Sequence, residues 1–124
     1  MGLKRNVSLF TGLRYQGKGP MLTFVLHRIG GLGMAIFVTT HILASFLGGP
    51  GGKLVNAIYE NWLFQIVILF CVLFHAVNGL RITLLDLWPR LQPYQHQAIR
   101  VEWAVFWPLY IIAIVVAFRA AFGV

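Results

Sequence analysis

The stretch that decides the fold runs from Phe70 to Arg81 and reads Phe-Cys-Val-Leu-Phe-His-Ala-Val-Asn-Gly-Leu-Arg. Its histidine, His75, interrupts an apolar run that extends from Trp62 to about Leu80 and is long enough to span a bilayer. An ionisable side chain near the middle of a membrane is costly, and its presence therefore indicates a functional site. Neutral imidazole has few uses at such a position, and axial ligation of a haem iron is the most demanding of them.

The composition is that of an integral membrane protein. Of the 124 residues, 59% are hydrophobic and 10% are charged, whereas about a quarter of a soluble domain is charged. Three apolar stretches, at about 22–47, 62–87 and 104–122, each cover the roughly 20 residues that a spanning helix needs. The sequence therefore predicts an all-α membrane protein, with an N-terminal arm over residues 1–21 and a three-helix transmembrane domain over residues 22–124.

Charge is distributed unevenly along this chain, whose formal net charge is +7. Most basic residues lie before or at the start of the first span, or between the second and third spans. The segment between the first two spans carries only Lys53 and Glu60. By the positive-inside rule, the arm and the loop over residues 88–102 face the cytoplasm. The basic residues therefore set the topology, and nucleic acid is not expected as a partner.

The sequence also limits how a haem could be held. The single cysteine, Cys71, lies in the second span, so the paired cysteines of a c-type haem attachment are lacking and any haem is held non-covalently. No cleavable signal peptide is expected, because the first apolar run is too long for a signal core. Since three helices enclose little interior, we expect partners within the membrane.

His75 and His41 are both candidate haem ligands. Gly79 follows His75 by one helical turn, and its missing side chain is expected to leave room for a porphyrin. At a rise of 1.5 Å per residue, His41 lies ~9 Å and His75 ~20 Å from the outer ends of their helices. The two are therefore not expected to ligate one iron, and each would need a histidine from another chain. For His41 a hydrogen bond to a carbonyl or a nearby threonine stays open as the alternative.

The pair of His27 and Arg28 is expected at the cytoplasmic mouth of the first helix. An imidazole beside a guanidinium can bind haem propionates or polarise a quinone carbonyl. Arginine at a helix start also obeys the positive-inside rule, so a purely topological role stays open. Glycines at residues 30, 31 and 33 allow the close approach of another helix or of a flat cofactor.

Two motifs stand at a characteristic spacing: Leu26-His-Arg-Ile-Gly-Gly31 in the first span, and His75-x-x-x-Gly79-x-Arg81-x-x-x-x-Asp86 in the second. Together they resemble the cytochrome b subunit of succinate dehydrogenase, a membrane anchor of succinate:quinone oxidoreductase. The resemblance covers about residues 20–89. It implies a four-subunit complex in a bacterial inner membrane. In that complex a flavoprotein oxidises succinate, an iron–sulfur subunit passes electrons on, and two anchors hold haem b and the quinone site.

The resemblance also implies roles for individual residues. His75 would be an axial ligand of the haem iron, and the second anchor subunit would supply the other axial histidine. Arg28 would line the quinone site and, with His27, lie near the haem propionates. Arg81 and Asp86 would shape the quinone pocket or the iron–sulfur interface.

Two positions depart from the pattern of that family. Many members carry a quinone-contacting serine three residues before the first motif's histidine, whereas this chain has Phe24 there, with the adjacent Thr23 as the candidate quinone contact. Single-haem members generally lack a counterpart of His41, whereas the first helix of two-haem relatives ligates a distal haem. One haem or two therefore stays open, as does the choice between ubiquinone and menaquinone.

The predicted function is that of a haem b membrane anchor that passes electrons from the iron–sulfur subunit to quinone. No dinucleotide fingerprint and no set of cluster cysteines is present, so succinate oxidation is expected in another subunit. The alternatives are the anchor of a quinol:fumarate reductase and a haem-free scaffold whose histidines cross-link helices. A transporter subunit with an ion pair of Arg81 and Asp86 fits less well, because no pair of broken helices indicates a substrate site.

Overall fold

Four α-helices and one short 3₁₀ helix form the chain between residues 17 and 124; the computed structural model describes these residues and also residues 8, 10, 11 and 14. No strand occurs in these described residues, so the all-α prediction is confirmed. The predicted N-terminal arm lies mostly outside them. The α-helices are α1 (Lys18–Leu47), α2 (Gly49–Glu60), α3 (Trp62–Leu87) and α4 (Gln95–Phe122), and the 3₁₀ helix (Pro89–Tyr94) joins α3 to α4.

Three of these helices are long and apolar enough to cross a membrane: α1, α3, and α4 with the 3₁₀ helix before it. The prediction of three spans is therefore confirmed. α1 begins at Lys18 rather than near residue 22, and α4 begins at Gln95 rather than near residue 104. The polar turns that precede the apolar windows thus continue both helices. We call the end where α1 begins and α3 ends the inner end of the bundle, and the opposite end the outer end.

The glycine-rich break after α1 is followed by a helix that was not predicted. Gly48 and Gly49 both have positive φ angles, of 62° and 70°, a conformation that L side chains rarely adopt, and α1 ends there. Pro50 stands in the first turn of α2, where its missing N–H costs no hydrogen bond. A Cβ at Gly52 would collide with the backbone carbonyl of Ala44. Glycine at this position therefore lets α2 pack closely on the outer end of α1.

α3 packs against both α1 and α4. Its contact with α1 is made at glycines, because a Cβ at Gly30 would lie 3.1 Å from the carbonyl oxygen of Cys71, and one at Gly33 would lie 3.3 Å from its Sγ. Gly30 and Gly33 therefore allow the close approach of α3 to α1. The contact with α4 is aromatic, and Phe74 and Phe106 are fully buried in it.

Candidate functional site

His75 and His27 lie face to face where α3 meets α1. Their ring centroids are 4.0 Å apart and their planes are inclined by 10°. Nδ1 of His75 lies 3.1 Å from the backbone carbonyl oxygen of His27. A carbonyl oxygen only accepts, so this hydrogen bond requires a proton on Nδ1 of His75, and in the neutral ring Nε2 then carries the lone pair. Within the described part of the chain, this Nε2 has no hydrogen-bond partner.

One glycine makes room for the His75 ring, and a second lies beside His27. A Cβ at Gly31 would lie 2.9 Å from Cε1 of His75, a distance that real Cβ atoms essentially never show. A Cβ at Gly79 would lie 3.6 Å from Cε1 of His27. That is an ordinary van der Waals distance to one atom of the His27 ring, and the expectation that Gly79 leaves room for a porphyrin stays a prediction. A group that binds His75 would approach Nε2, at the ring edge away from the His27 carbonyl.

His27 lies well inside α1 rather than at its mouth, because α1 already begins at Lys18. Its Nδ1 is buried and has no hydrogen-bond partner among the residues described. The side chain forms part of the wall of a cavity of about 230 Å³ at the inner end of the bundle. This cavity brings together His27, Arg81 and Asp86, three of the residues predicted to act here. The rest of its wall comes from Pro20, Phe24, Ile82, Leu85, Gln92 and Gln95.

Arg28 and Thr23, the other residues predicted for a quinone site, do not line this cavity, although each contacts a residue that does. Arg28 is exposed, and its guanidinium carbon lies 4.6 Å from the centre of the Phe24 ring, a cation–π contact. Thr23 is fully buried, and its hydroxyl donates to the carbonyl oxygen of Pro20 at 3.1 Å. The same hydroxyl oxygen lies 3.5 Å from Nη2 of Arg81. Thr23 is thus a polar contact of Arg81 on α1.

Arg81 is held by acceptors from all three long helices. Its Nε donates to Oε2 of Glu102 on α4 at 2.7 Å, and its Nη2 donates to Oδ1 of Asn78 on α3 at 2.7 Å. Thr23 of α1 completes the set. The side chain of Arg81 is 10% exposed and that of Glu102 is 0% exposed. Asp86 is exposed, and the ion pair of Arg81 and Asp86 that was considered for a transporter is replaced by a pair of Arg81 and Glu102.

Glu102 and Asn78 were not predicted from the sequence. Glu102 was treated as part of the cytoplasmic loop over residues 88–102, but α4 already includes it. Helical spacing could have found both residues, because each lies four positions from a fully buried phenylalanine, Phe106 or Phe74. A polar side chain on the packed face of a membrane helix needs a partner, and Arg81 supplies it for both.

His41 lies in a different cluster, in the outer half of the bundle. Its ring stacks on Phe37 with centroids 5.5 Å apart and planes inclined by 8°, and lies 6.0 Å from the ring of Tyr59. Its Nδ1 is buried and, among the described residues, unpartnered. The hydroxyl of Thr40, one of the partners considered for His41, bonds instead to the hydroxyl of Tyr59. The structure therefore brings His75 and His27 together and places His41 among aromatic rings.

The sequence is similar to known proteins over most of its length. Residues 1–118 match a family described as the succinate dehydrogenase/fumarate reductase transmembrane subunit. The chain is also 32% identical, over 98 residues, to the succinate dehydrogenase 2 membrane subunit SdhC of Mycobacterium tuberculosis, a match that covers 74% of this chain and 72% of that protein. The resemblance seen in the two sequence motifs is thereby confirmed. This three-helix, multi-pass membrane protein belongs to the family of transmembrane subunits of succinate dehydrogenase and fumarate reductase.

Proposed function

We propose that the chain is a haem b-containing membrane anchor of a succinate dehydrogenase, and that it passes electrons from the iron–sulfur subunit to quinone. The observation that carries this proposal is the hydrogen bond from Nδ1 of His75 to the carbonyl of His27. Ligating histidines typically donate their second ring nitrogen to a carbonyl or carboxylate, which fixes the tautomer and the orientation of the ring. In this orientation, Nε2 is the nitrogen of His75 that would bind an iron.

The surroundings of His75 also fit a haem group. Gly31 and the stacked ring of His27 hold the His75 imidazole in place. Haem propionates need hydrogen-bond donors or cations, and the unpartnered Nδ1 of His27 and the exposed Arg28 are candidates for that task. When bound, haem b supplies a one-electron redox centre inside the membrane.

The second axial ligand would come from another chain. His27 is the nearest imidazole to His75, but the two rings are stacked 4.0 Å apart and nearly parallel. Rings in face-to-face contact leave no space for a cofactor between them, so His27 and His75 would not both ligate one haem iron. A second anchor subunit would therefore supply the other histidine. The iron–sulfur subunit and the flavoprotein complete the proposed complex, which is embedded in the lipid bilayer.

We propose a single haem, bound at His75, and a packing role for His41. No carbonyl of the described residues fixes the tautomer of His41, whose contacts are the flat face of Phe37 and the ring of Tyr59. These contacts orient the plane of the ring and leave its nitrogens unassigned. A second, distal haem at His41 is the alternative that a haem count tests.

The cavity bounded by His27, Arg81 and Asp86 is the proposed quinone-binding surface. Reduction of a quinone to its hydroquinone takes up two electrons and two protons, and developing negative charge on a carbonyl oxygen is stabilised by a cationic donor. Glu102 and Asn78 engage Nε and Nη2 of Arg81, so Nη1 is the nitrogen that makes no hydrogen bond among the described residues and would be available to such an oxygen. The cavity, about 230 Å³, is smaller than the ~300–1,000 Å³ typical of ligand pockets. Partner subunits would therefore complete the site.

Succinate oxidation is preferred over fumarate reduction as the direction of the complex. The relative from Mycobacterium tuberculosis is, by its name, a succinate dehydrogenase subunit, and it is 32% identical to this chain. The family itself includes subunits of both enzymes. In both directions the anchor exchanges electrons between an iron–sulfur partner and a quinone.

A haem count on the purified complex tests the proposal. Haem b is measured as its pyridine haemochrome and divided by the amount of flavin in the same sample. We expect a ratio of about one, since one His75 is present per chain. A ratio near two would identify His41 as a distal ligand. Absence of haem from an intact complex that still oxidises succinate would overturn the proposal and favour a haem-free scaffold.

A further inference from the structure

We propose that Glu102 is a positioning residue for Arg81, which it holds so that Nη1 remains available to a quinone in the cavity shared with His27 and Asp86. The inference rests on the proposed quinone site. Glu102, however, does not line that cavity, and it belongs to α4, whereas Arg81 belongs to α3. Glu102 would therefore act on quinone only through the arginine.

The contacts of Glu102 are directed at Arg81. The carboxylate is fully buried, and its Oε2 accepts from Nε of Arg81 at 2.7 Å. Its other oxygen, Oε1, has no hydrogen-bond partner among the described residues. Burying a carboxylate without a counter-ion costs free energy, and the ion pair with Arg81 offsets that cost for Glu102.

Stability alone does not account for such a pair. The cost of removing two charges from water can exceed their attraction, and well-packed apolar residues often replace a buried ion pair without loss of stability. The ion pair instead fixes the orientation of the Arg81 guanidinium. Glu102 and Asn78 approach the guanidinium from α4 and α3, and Thr23 approaches it from α1, so the plane of the group is defined by all three helices.

Two other positions are open to the guanidinium if Glu102 is lost. Asp86 lies on the wall of the same cavity and is a competing anion. A second cavity, of about 340 Å³, lies between α3 and α4, is lined mainly by aliphatic side chains and also borders Arg81. A turn of Arg81 towards Asp86 would obstruct the quinone cavity, and a turn into the second cavity would withdraw the donor from it. In both cases quinone binding weakens.

The test is a double-mutant cycle in the intact complex. Succinate-dependent reduction of a decyl-tailed benzoquinone or naphthoquinone, whichever the wild type reduces faster, is measured for Glu102→Gln, Arg81→Gln and the double variant. Glu102→Gln should lower kcat/KM for quinone about tenfold, chiefly through KM, as expected when a charge-assisted hydrogen bond to the ligand weakens. Because Glu102 acts through Arg81, the double variant should be no worse than Arg81→Gln alone.

Three controls separate this role from a structural one. Glu60→Gln removes an exposed carboxylate of α2, at the outer end, and should leave the quinone kinetics unchanged. Reduction of a soluble dye by succinate and the haem absorption band report assembly in every variant. If Glu102→Gln lowers the haem content, Glu102→Asp takes its place, since it keeps the charge and shortens the reach by one methylene; its quinone KM should rise.

Losses that add in the double variant would overturn the inference, because they would show that Glu102 acts independently of Arg81. Wild-type quinone kinetics in Glu102→Gln, or in an assembled Glu102→Asp used in its place, would overturn it as well. Both results require a wild-type complex that reduces quinone, so they leave the proposed function intact. A wild-type complex that oxidises succinate with the dye but reduces no quinone would instead overturn the proposed function and this inference with it.

Discussion

The inner and outer halves of the bundle hold their histidines in different ways. In the inner half, His75 donates Nδ1–H to a backbone carbonyl and fits between His27 and Gly31. In the outer half, His41 lies flat against Phe37 and makes no such bond within the described residues. Stacking fixes only the plane of a ring, whereas the carbonyl bond also fixes which nitrogen is free. An intramembrane histidine is therefore a candidate ligand when a second contact sets its tautomer.

The largest effect is expected from His75→Ala set against His41→Ala. His75→Ala should abolish the haem absorption band, because the protein then offers no nitrogen to the iron at this position. His41→Ala should retain haem at the wild-type ratio to flavin. The pyridine haemochrome assay measures both, and succinate–dye activity confirms that the complex has assembled. Equal haem loss in the two variants would contradict the different roles proposed for His75 and His41.

A second comparison uses two glycines of α1. Gly31→Ala places a methyl group 2.9 Å from Cε1 of His75, so the imidazole must shift and most of the haem should be lost. Gly33→Ala is the matched control, because its methyl group meets the side chain of Cys71 at 3.3 Å and is expected to be accommodated with a small shift. Haem content per flavin reports the result. A Gly33→Ala variant with the greater haem loss would show that helix spacing, rather than the fit of His75, controls haem binding.

A smaller effect is expected from the loss of Arg28, which contacts Phe24 of the proposed quinone cavity. Arg28→Ala removes the cation that stacks on Phe24, and quinone reduction should fall by about 3–10-fold, the size of a partly solvated charged contact. Succinate–dye reduction should persist. Arg119→Ala, at the outer end of α4, is the control and should affect neither activity. Equal loss of both activities in Arg28→Ala would indicate impaired assembly rather than a local role at the cavity.

The smallest effect is expected in the outer half. Phe37→Leu removes the ring on which His41 stacks, and should lower stability by about 0.5–1.5 kcal/mol, the contribution of an aromatic pair beyond its buried area. Haem content should not change. The shift in the apparent Tm of the purified complex, followed by circular dichroism, reports the direction of the stability change, and the haemochrome assay reports the haem content. A fall in haem content with unaltered stability would point to a distal haem at His41.

The membrane spans were predictable from the sequence, and the interior of the bundle was predictable only in part. Apolar windows of spanning length leave little choice of fold, and the two sequence motifs contain His27, Arg81 and Asp86, which line one cavity at the inner end. The helix α2 was not predicted, because its glycines are typical of a turn; Gly52 instead allows a helix to pack closely on Ala44. The ion pair with Glu102 depends on the rotation of α4 about its axis, which is a tertiary property.

The placement of two functional groups on α3 has a consequence for the reaction. Arg81 follows His75 by six residues of one continuous helix, which is ~9 Å along its axis at 1.5 Å per residue. The spacing between the proposed metal ligand and the proposed quinone donor is therefore a property of a single rigid rod. Sliding or tilting of the neighbouring helices would therefore leave the distance between these two positions of the α3 backbone unchanged.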